Sequence, residues 1–180
     1  MPPDPRGAGF QPASGEESRL RRPEHYDLGR IPYFVTTRTH KSERIFVDSI
    51  AQTVVDELFE LRGKYGFLIP SFVLMPDHAH FLVVPAQNFT ISQTMRVIKG
   101  GIARRVNSVR GREGSVWQDG FRDSAPKSLD ELHAYISYIE HNPVRAGLVR
   151  NAETYAFSSA DGRCEDDYQA FFALERTDAG

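Results

Sequence analysis

The sequence predicts an α+β domain, in which a central antiparallel sheet is covered by helices in a ferredoxin-like or RNA-recognition-like sandwich. Runs rich in β-branched and aromatic residues alternate with segments in which apolar residues recur every three or four positions. Along the chain these segments follow the order β-α-β-β-α-β-α. The length of 180 residues and the 40% of hydrophobic residues are typical of one globular domain with one core.

The first predicted unit is a strand followed by a helix. Tyr33–Thr39 is dense in β-branched and aromatic residues, a composition typical of strands. Asp48–Tyr65 has the spacing of an amphipathic helix, and Asp48 is its predicted N-cap. The apolar positions of this helix are Ile50, Val54, Leu58 and Leu61.

Two apolar runs and a basic helix come next. Phe67–Leu74 and His80–Val84 predict adjacent strands, because Met75-Pro76-Asp77 between them is turn-like. The second run has the composition of a strand that is buried on both faces. Thr90–Val109 predicts a second helix, and Gly100-Gly101 weakens its middle.

The last predicted elements are a short strand or loop and a third helix. Ser115–Asp123 forms the strand or loop, and Ser128 is the predicted N-cap of the helix Leu129–His141, which ends before Pro143. The predicted core-facing positions of this helix are Leu129, Leu132, Ile136 and Ile139. Beyond Gly147 we expect irregular structure.

The ends of the chain and its composition restrict domain organisation and location. We expect a flexible tail over residues 1–22, a folded domain over 23–160 and an acidic segment over 161–180. The N-terminus lacks the apolar core of a signal peptide, and no apolar stretch approaches the roughly 18–20 residues that cross a bilayer. The single cysteine, Cys164, cannot form an internal disulfide. These features favour a cytoplasmic protein.

The net charge of −2, from 22 Lys and Arg against 24 Asp and Glu, disfavours a nucleic-acid partner when it is taken as a total. The total is a sum of unlike parts, which are a basic cluster in the tail, a basic second helix and an acidic C-terminus. Charges separated by more than about 8–10 Å act almost independently at moderate salt. The net charge therefore does not exclude DNA.

The first candidate site is the pair His78-Ala79-His80 at the start of a predicted strand. A period of two places both imidazoles on one face of the sheet, which is a frequent beginning of a metal site. The alternative is one histidine in the core and one in the turn. Metallo-hydrolases with the H-x-H-x-D-H pattern and histidine-triad hydrolases are disfavoured, because Phe81-Leu82-Val83 follows.

The second candidate pair is Tyr138 and Asn142. They are four positions apart on the third helix, so a phenol and an amide lie on one face beside the apolar stripe. The alternative is a packing tyrosine and a helix-ending asparagine. Tyr135, His133 and His141 are expected to be packing or surface residues.

The third feature is an interval without acidic residues, residues 88–112. Basic side chains for phosphates and aromatic rings for bases are what single-stranded nucleic acid requires. The alternative is a solvated helix face, with Trp117 in the core. The basic and aromatic residues are Arg96, Lys99, Arg104, Arg105, Arg110 and Arg112, followed by Trp117 and Phe121.

Together these motifs resemble the REP-associated tyrosine transposases, which belong to the insertion-sequence tyrosine transposases of the HUH single-strand endonuclease superfamily. The resemblance covers about residues 23–160 and is carried, in order, by YFVTTRTHKSERIF, MPDHAHFLVV, IKGGIARRVN, VWQDGF, YISYIEHNPVRAGLV and YAFSSA. One departure is Asp77, where members of the family more often have Asn.

The resemblance implies cleavage and rejoining of single-stranded DNA at hairpin-associated repeats through a 5′-phosphotyrosine intermediate. It assigns the nucleophile to Tyr138 and a Mg²⁺ or Mn²⁺ site to His78, His80 and Asn142. No nucleotide cofactor is needed, and members act as monomers or homodimers.

The DNA backbone is expected to contact Lys99, Arg104 and Arg105, and Arg19, Arg21 and Arg22 of the tail are expected to clamp the DNA that flanks the hairpin. Two other classes stay open. One is a metal-dependent phosphoesterase in which Tyr138 only packs, and the other is a non-catalytic nucleic-acid-binding module.

Overall fold

The computed structural model of the protein describes residues 31–178, and the side chains of residues 31–173. The basic cluster predicted at Arg19, Arg21 and Arg22 lies outside the described residues. The strands are β1 (Tyr33–Arg38), β2 (Leu68–Met75), β3 (His78–Val84) and β4 (Arg122–Ser124). The helices are α1 (Asp48–Tyr65), α2 (Ile91–Arg110), α3 (Leu129–Glu140), α4 (Asn142–Arg145) and α5 (Glu165–Asp178), with short 3-10 turns at His40–Ser42 and Ala152–Thr154.

The four strands form one sheet in the order β2-β3-β1-β4, and every neighbouring pair is antiparallel. The first six elements follow the β-α-β-β-α-β order of a ferredoxin-like fold. The predicted α+β fold with a central antiparallel sheet is therefore confirmed. None of the helices within the described part of the chain has the length and apolar character needed to cross a bilayer.

Helices cover both faces of the sheet, and each face has its own apolar core. On one face, α1 and α2 pack on alternate residues of β1 and β3, including Val35, Phe81 and Val83. On the other face, Leu132 and Ile139 of α3 pack together with Leu82. All residues of β3 from Ala79 to Val84 are buried, as expected for a strand covered on both faces.

Two predictions about helix ends and faces were wrong. Val47 rather than Asp48 is the N-cap of α1, and Asp48 itself begins the helix with a φ of 49°. Leu129, predicted to face the core, is 54% exposed, because it is the first residue of α3 and lies in front of the turn that meets the sheet. Ser128 does cap α3, since its Oγ accepts a hydrogen bond from the Glu131 amide at 3.2 Å.

The prediction of irregular structure beyond Gly147 was also wrong, because the acidic segment contains α5. Asp167 is buried on this helix, where its carboxylate accepts hydrogen bonds from Arg62 Nε at 2.6 Å and from the Ile69 amide at 2.8 Å. Phe171, one turn further on, is buried in the same core as α3. One acidic residue, Asp167, thus anchors the segment to α1 and β2, a pairing that the local charge pattern does not reveal.

Candidate active site

The two histidines of β3 lie on the face of the sheet that α3 covers. His80 is opposite Thr36 of β1, and His78 is opposite Arg38. Because residues two apart in a strand share a face, the two imidazoles are neighbours, with ring centroids 5.0 Å apart. His80 is 5% exposed and the side chain of His78 is 17% exposed, so the pair lies at the edge of the buried sheet face.

A neighbouring side chain fixes the orientation of each imidazole. The Asp77 carboxylate accepts a hydrogen bond from Nδ1 of His78 at 2.6 Å, and the Thr36 hydroxyl is hydrogen-bonded to Nδ1 of His80 at 2.9 Å. In both rings Nε2 is the nitrogen that points away from this partner. Ligating histidines in metal sites are commonly held through their second nitrogen in this way.

Burial lowers the pKa of His78, and the hydrogen bond from its ring to Asp77 opposes that shift. The neutral imidazole is therefore favoured at neutral pH, which is the form that binds a metal ion. Asp77, the residue that departs from the family pattern, faces the Nδ1 side of His78, and its other oxygen lies 3.9 Å from Arg38. Asp77 therefore contacts the Nδ1 side of His78 and not the Nε2 side.

Tyr138 on α3 is the tyrosine beside the histidines. Its ring centroid is 5.4 Å from that of His80 and 5.9 Å from that of Phe34, in edge-on contacts. The guanidinium carbon of Arg145 lies 5.2 Å from the centroid of the same ring. Tyr138 is half-buried, and the imidazole of His80 and the guanidinium of Arg145 are neighbours of its ring.

Tyr135, three positions earlier on α3, has a different environment. It is 9% exposed and stacks on Phe34 with centroids 4.8 Å apart. Its hydroxyl donates to Glu131 at 2.9 Å and is hydrogen-bonded to Ser124 at 3.1 Å, and burial raises its pKa. Tyr135 therefore serves packing, as the sequence predicted.

Asn142 follows a break that the sequence did not reveal. α3 ends at Glu140, His141 is a turn residue, and Asn142 is the first residue of α4. Its side chain is half-buried, and it forms no hydrogen bond with another described side chain. The structure brings together His78, His80 and Tyr138. Asn142 lies four positions after Tyr138, at the start of α4.

The two imidazoles, each held through Nδ1, are suited to a divalent cation. Among the described residues, no group of three or more His, Cys, Asp or Glu side chains is placed to hold a metal ion. Two imidazole nitrogens and one amide oxygen, the set that the resemblance implies, would leave several positions for oxygen ligands. Phosphate and water oxygens are suitable for these positions.

The basic residues predicted to bind DNA lie on α2, on the opposite face of the sheet. Lys99 donates hydrogen bonds to the carbonyl oxygens of Gln118, at 2.9 Å, and of Gly120. Arg105 lies 3.8 Å from Glu57 and 3.9 Å from Glu60 of α1. These two side chains therefore have structural partners.

Arg104 differs from Lys99 and Arg105. It is exposed and forms no ion pair with a described residue. Trp117 is 5% exposed and belongs to the core between the helices and the sheet, as predicted.

Sequence reasoning missed four groups at the site, which are Thr36, Arg38, Arg122 and Arg145. Thr36 and Arg122 are opposite each other in the β1–β4 pairing, and Thr36 is opposite His80 in the β1–β3 pairing. Only the register of the strands reveals these neighbours. Arg145 lies within the quoted NPVRAG motif, so the signal was present, but the sequence alone does not show that it meets Tyr138.

Comparison with known proteins identifies similar sequences and a similar structure. The family model described as "Transposase IS200 like" matches residues 29–142. A "Putative REP-associated tyrosine transposase" of Haemophilus influenzae is 25% identical over 105 residues, which are 53% of this chain and 60% of that protein, so the chain spans less than two thirds of this relative. A REP-associated tyrosine transposase of Escherichia coli is 22% identical over 143 residues, covering 79% of this chain and 82% of that protein.

A solved structure, described as a REP-associated tyrosine transposase bound to a REP hairpin, has the same fold. It superposes with a TM-score of 0.65 at 20% identity and covers 78% of this chain and 82% of that one. The family match extends over well more than half of the sequence and includes both histidines, Tyr138 and Asn142. The protein belongs to the IS200-like transposase family.

Proposed function

We propose that the protein is a metal-dependent endonuclease and strand transferase for single-stranded DNA, acting at hairpin-associated repeats. The observation that carries this proposal is the 5.4 Å between the ring centroids of Tyr138 and His80, on a pair of histidines whose Nδ1 atoms are both hydrogen-bonded. A candidate nucleophile and a candidate phosphate-activating centre thus lie side by side. The names of the relatives support a REP hairpin as the substrate class.

In the proposed reaction, Oη of Tyr138 attacks the scissile phosphorus. The new bond joins Oη to phosphorus, the bond from phosphorus to the 3′ oxygen breaks, and the proton of the phenol is lost while the 3′ oxygen gains one. The products are a 5′-phosphotyrosine and a free 3′-hydroxyl. Attack by a 3′-hydroxyl on the phosphotyrosine reverses these steps and rejoins DNA without a nucleotide cofactor.

A free tyrosine has a pKa of about 10, so its phenol is a poor nucleophile at neutral pH and needs assistance. A Mg²⁺ or Mn²⁺ ion held by His78, His80 and Asn142 would supply positive charge to the scissile phosphate. Thr36 and Asp77 hold the two imidazoles, and Phe34 and His80 hold the edge of the Tyr138 ring.

More distant DNA contacts are also part of the proposal. Arg104 is the α2 residue best suited to phosphate, because its side chain is exposed and without an ion pair to described residues, unlike Lys99 and Arg105. Contacts from the tail concern residues outside the described part of the chain. We propose a catalytic domain that extends to at least Phe171 rather than ending at residue 160, since that side chain is buried in the α3 core.

The test is an adduct assay. The protein is incubated with a hairpin oligonucleotide labelled at its 3′ end, with Mn²⁺ or with EDTA, and analysed on a denaturing gel. We expect a labelled protein band with Mn²⁺ only, absent in Tyr138→Phe and retained in Tyr135→Phe. Tyr135→Phe is the matched control because it removes a phenol hydroxyl from the same helix.

Each other class gives a different result. Cleaved DNA without a protein adduct would indicate a phosphoesterase. Hairpin binding without cleavage, unaffected by EDTA, would indicate a binding module. An adduct of normal yield in Tyr138→Phe would show that another residue is the nucleophile.

A further inference from the structure

Arginines from three different elements surround the histidine pair and Tyr138. Arg38 ends β1, Arg122 begins β4 and Arg145 ends α4. We call these three residues the arginine cluster. Arg38 and Arg122 belong to neighbouring strands, and Arg145 lies over the ring of Tyr138.

The strand pairing puts Arg38 and Arg122 on the same face as the histidines. Residues directly opposite each other in antiparallel strands point to the same side. His78 is opposite Arg38, and Thr36 is opposite both His80 and Arg122. With neighbouring strands about 4.7–4.9 Å apart, the backbone of Arg122 is about 10 Å from that of His80.

A contact to α3 confirms which face of β4 is involved. Ser124 lies two residues after Arg122 in the same strand, so their side chains share a face. The Ser124 hydroxyl is hydrogen-bonded to the Tyr135 hydroxyl of α3 at 3.1 Å. Arg122 therefore lies on the α3 side of the sheet, as the histidines do.

Among the described elements, α3 does not cover the part of this face that carries the arginines. α3 packs on Leu82 and Phe34, and the ring of Tyr138 is in contact with Phe34 and His80 at the end of the covered area. Beyond it, Arg122 is exposed and the Arg38 side chain is 51% exposed. Arg38 and Arg122 thus form a basic, exposed surface beside the histidines and the candidate nucleophile.

The positive charge of this surface is only partly compensated by acidic groups of the described residues. Arg122 forms no ion pair with a described residue. The carboxylate nearest to Arg38 is Asp77, at 3.9 Å, and that group is already hydrogen-bonded to His78 at 2.6 Å. By contrast, the α2 cations Arg105 and Arg110 are paired with glutamates, Arg105 with Glu57 of α1 and Arg110 with Glu43 of the segment before α1.

We propose that Arg38 and Arg122 bind the phosphates of the single-stranded DNA next to the scissile phosphate, and that Arg145 positions Tyr138 and pairs with the phosphate that becomes linked to it. This inference rests on the proposed function and deepens it, because it assigns the path of the DNA strand across β1 and β4. An exposed guanidinium forms two-pronged hydrogen bonds to phosphate, which suits all three residues.

Binding without cleavage tests the path of the strand. Tyr138→Phe protein in EDTA is titrated with a fluorescent hairpin oligonucleotide that carries a single-stranded extension, at several NaCl concentrations. When both Arg38→Gln and Arg122→Gln are added to the Tyr138→Phe protein, its binding to this oligonucleotide should weaken about tenfold or more. The slope of log K against log salt should fall by about 0.7 per lost contact, about 1.4 in total.

Lys64→Gln is the control for loss of a surface charge away from the site, since Lys64 is exposed on α1, in the layer opposite the histidines. We expect no change in the slope for this variant. Arg122→Lys in place of Arg122→Gln in the double variant should restore about half of the lost slope, about 0.7, because it restores one of the two charges. An unchanged affinity and slope in the double variant would overturn the assignment of the strand path. Equal unfolding temperatures of the variants exclude misfolding as the cause of a loss.

Arg145 is tested by the rate of adduct formation at saturating DNA. We expect Arg145→Gln to slow this step at least tenfold with a smaller effect on the Kd, and Arg145→Lys to recover part of the rate. A normal rate in Arg145→Gln would overturn its role.

The two levels of the proposal fail separately. Adduct formation by the wild type together with normal binding by the double variant would leave the proposed function and remove the strand path. Weaker binding by the double variant without any adduct in the wild type would leave the strand path and remove the cleavage chemistry.

Discussion

The hydroxyl of Thr36 decides how the His80 ring is held, because it bonds Nδ1 at 2.9 Å across the β1–β3 pair. We expect Thr36→Val to weaken Mn²⁺ binding about 10- to 100-fold, the usual effect of losing the residue that orients a ligating histidine. Isothermal titration calorimetry of the protein without DNA measures this affinity directly.

The adjacent Thr37 is the matched control. Its side chain lies on the opposite face of β1, and its buried hydroxyl has no hydrogen-bond partner among the described residues. Thr37→Val should leave Mn²⁺ affinity unchanged and preserve or raise stability, because it removes an unsatisfied polar group. Equal losses of affinity in both variants would mean that the strand, and not the hydrogen bond, sets the metal site.

The proximity of the two histidines follows from the strand period of two, so the sequence predicts it without knowledge of the fold. Periodicity alone does not distinguish Tyr135 from Tyr138 as the candidate nucleophile. Tyr135 and Tyr138 both lie on α3, and the family motif assigned the role to Tyr138. Their different surroundings, a hydrogen-bonded core position and the neighbourhood of His80, depend on how α3 is rotated on the sheet.

At the scale of elements, Gly100-Gly101 does not interrupt α2, and one glycine of the pair allows close packing against α1. α2 runs without a break from Ile91 to Arg110, and Gly101 is buried where α1 meets it. A Cβ added to Gly101 would lie 2.5 Å from Cδ1 of Leu61, whereas one added to Gly100 would meet only the Arg104 side chain at 3.5 Å. Only Gly101 is therefore required for the close approach of the two helices.

We expect Gly101→Ala to lower the free energy of unfolding by about 1–3 kcal/mol, because Leu61 and its helix must move. Gly100→Ala should instead raise it by up to about 1 kcal/mol, since alanine favours the helix. Urea denaturation of the two variants measures both effects. A loss of similar size in Gly100→Ala would contradict this account of the helix contact.

The helix ends show where local signals sufficed. The Ser128 cap was predicted from one residue type followed by a helical pattern, and the hydrogen bond to Glu131 bears it out. The break between α3 and α4 was not predicted as two helices, since Pro143 is compatible with either the end of one helix or the first turn of another.

At the scale of the whole molecule, Cys164 reports on the docking of the C-terminal segment. It is 3% exposed, and burial raises the pKa of its thiol to about 12. A raised thiol pKa means that the unreactive protonated form persists as the pH rises, so the native protein should react slowly with a thiol reagent even at pH 9. Denatured protein should react rapidly at the same pH.

Asp167→Ala should increase the thiol reactivity of the native protein, because it removes the hydrogen bonds that tie α5 to Arg62 and Ile69. The matched control is Asp166→Ala, an exposed acid next to it on the same helix. Reaction of the native wild type as fast as the denatured protein would show that the segment does not stay docked.

Which basic residues are paired with acids is also decided only in the folded molecule. Residues 88–112 contain no acid, yet Glu43 accepts hydrogen bonds from both Arg110 and Arg112, at 3.1 and 3.3 Å. These two arginines hold the pKa of Glu43 below its usual range. A basic stretch of sequence is thus partly neutralised by an acid that precedes it by more than 40 residues.

The sequence by itself determined the fold class, the order of the first seven elements and the shared face of the two histidines, because these depend on apolar periodicity and on residues close together in the chain. Only the tertiary structure decided that Thr36 holds His80, that Arg38 and Arg122 flank the histidines, and that the basic α2 lies in the opposite layer. Strand register and the choice of sheet face bring together residues that are 40 to 90 positions apart, and no local pattern encodes such contacts.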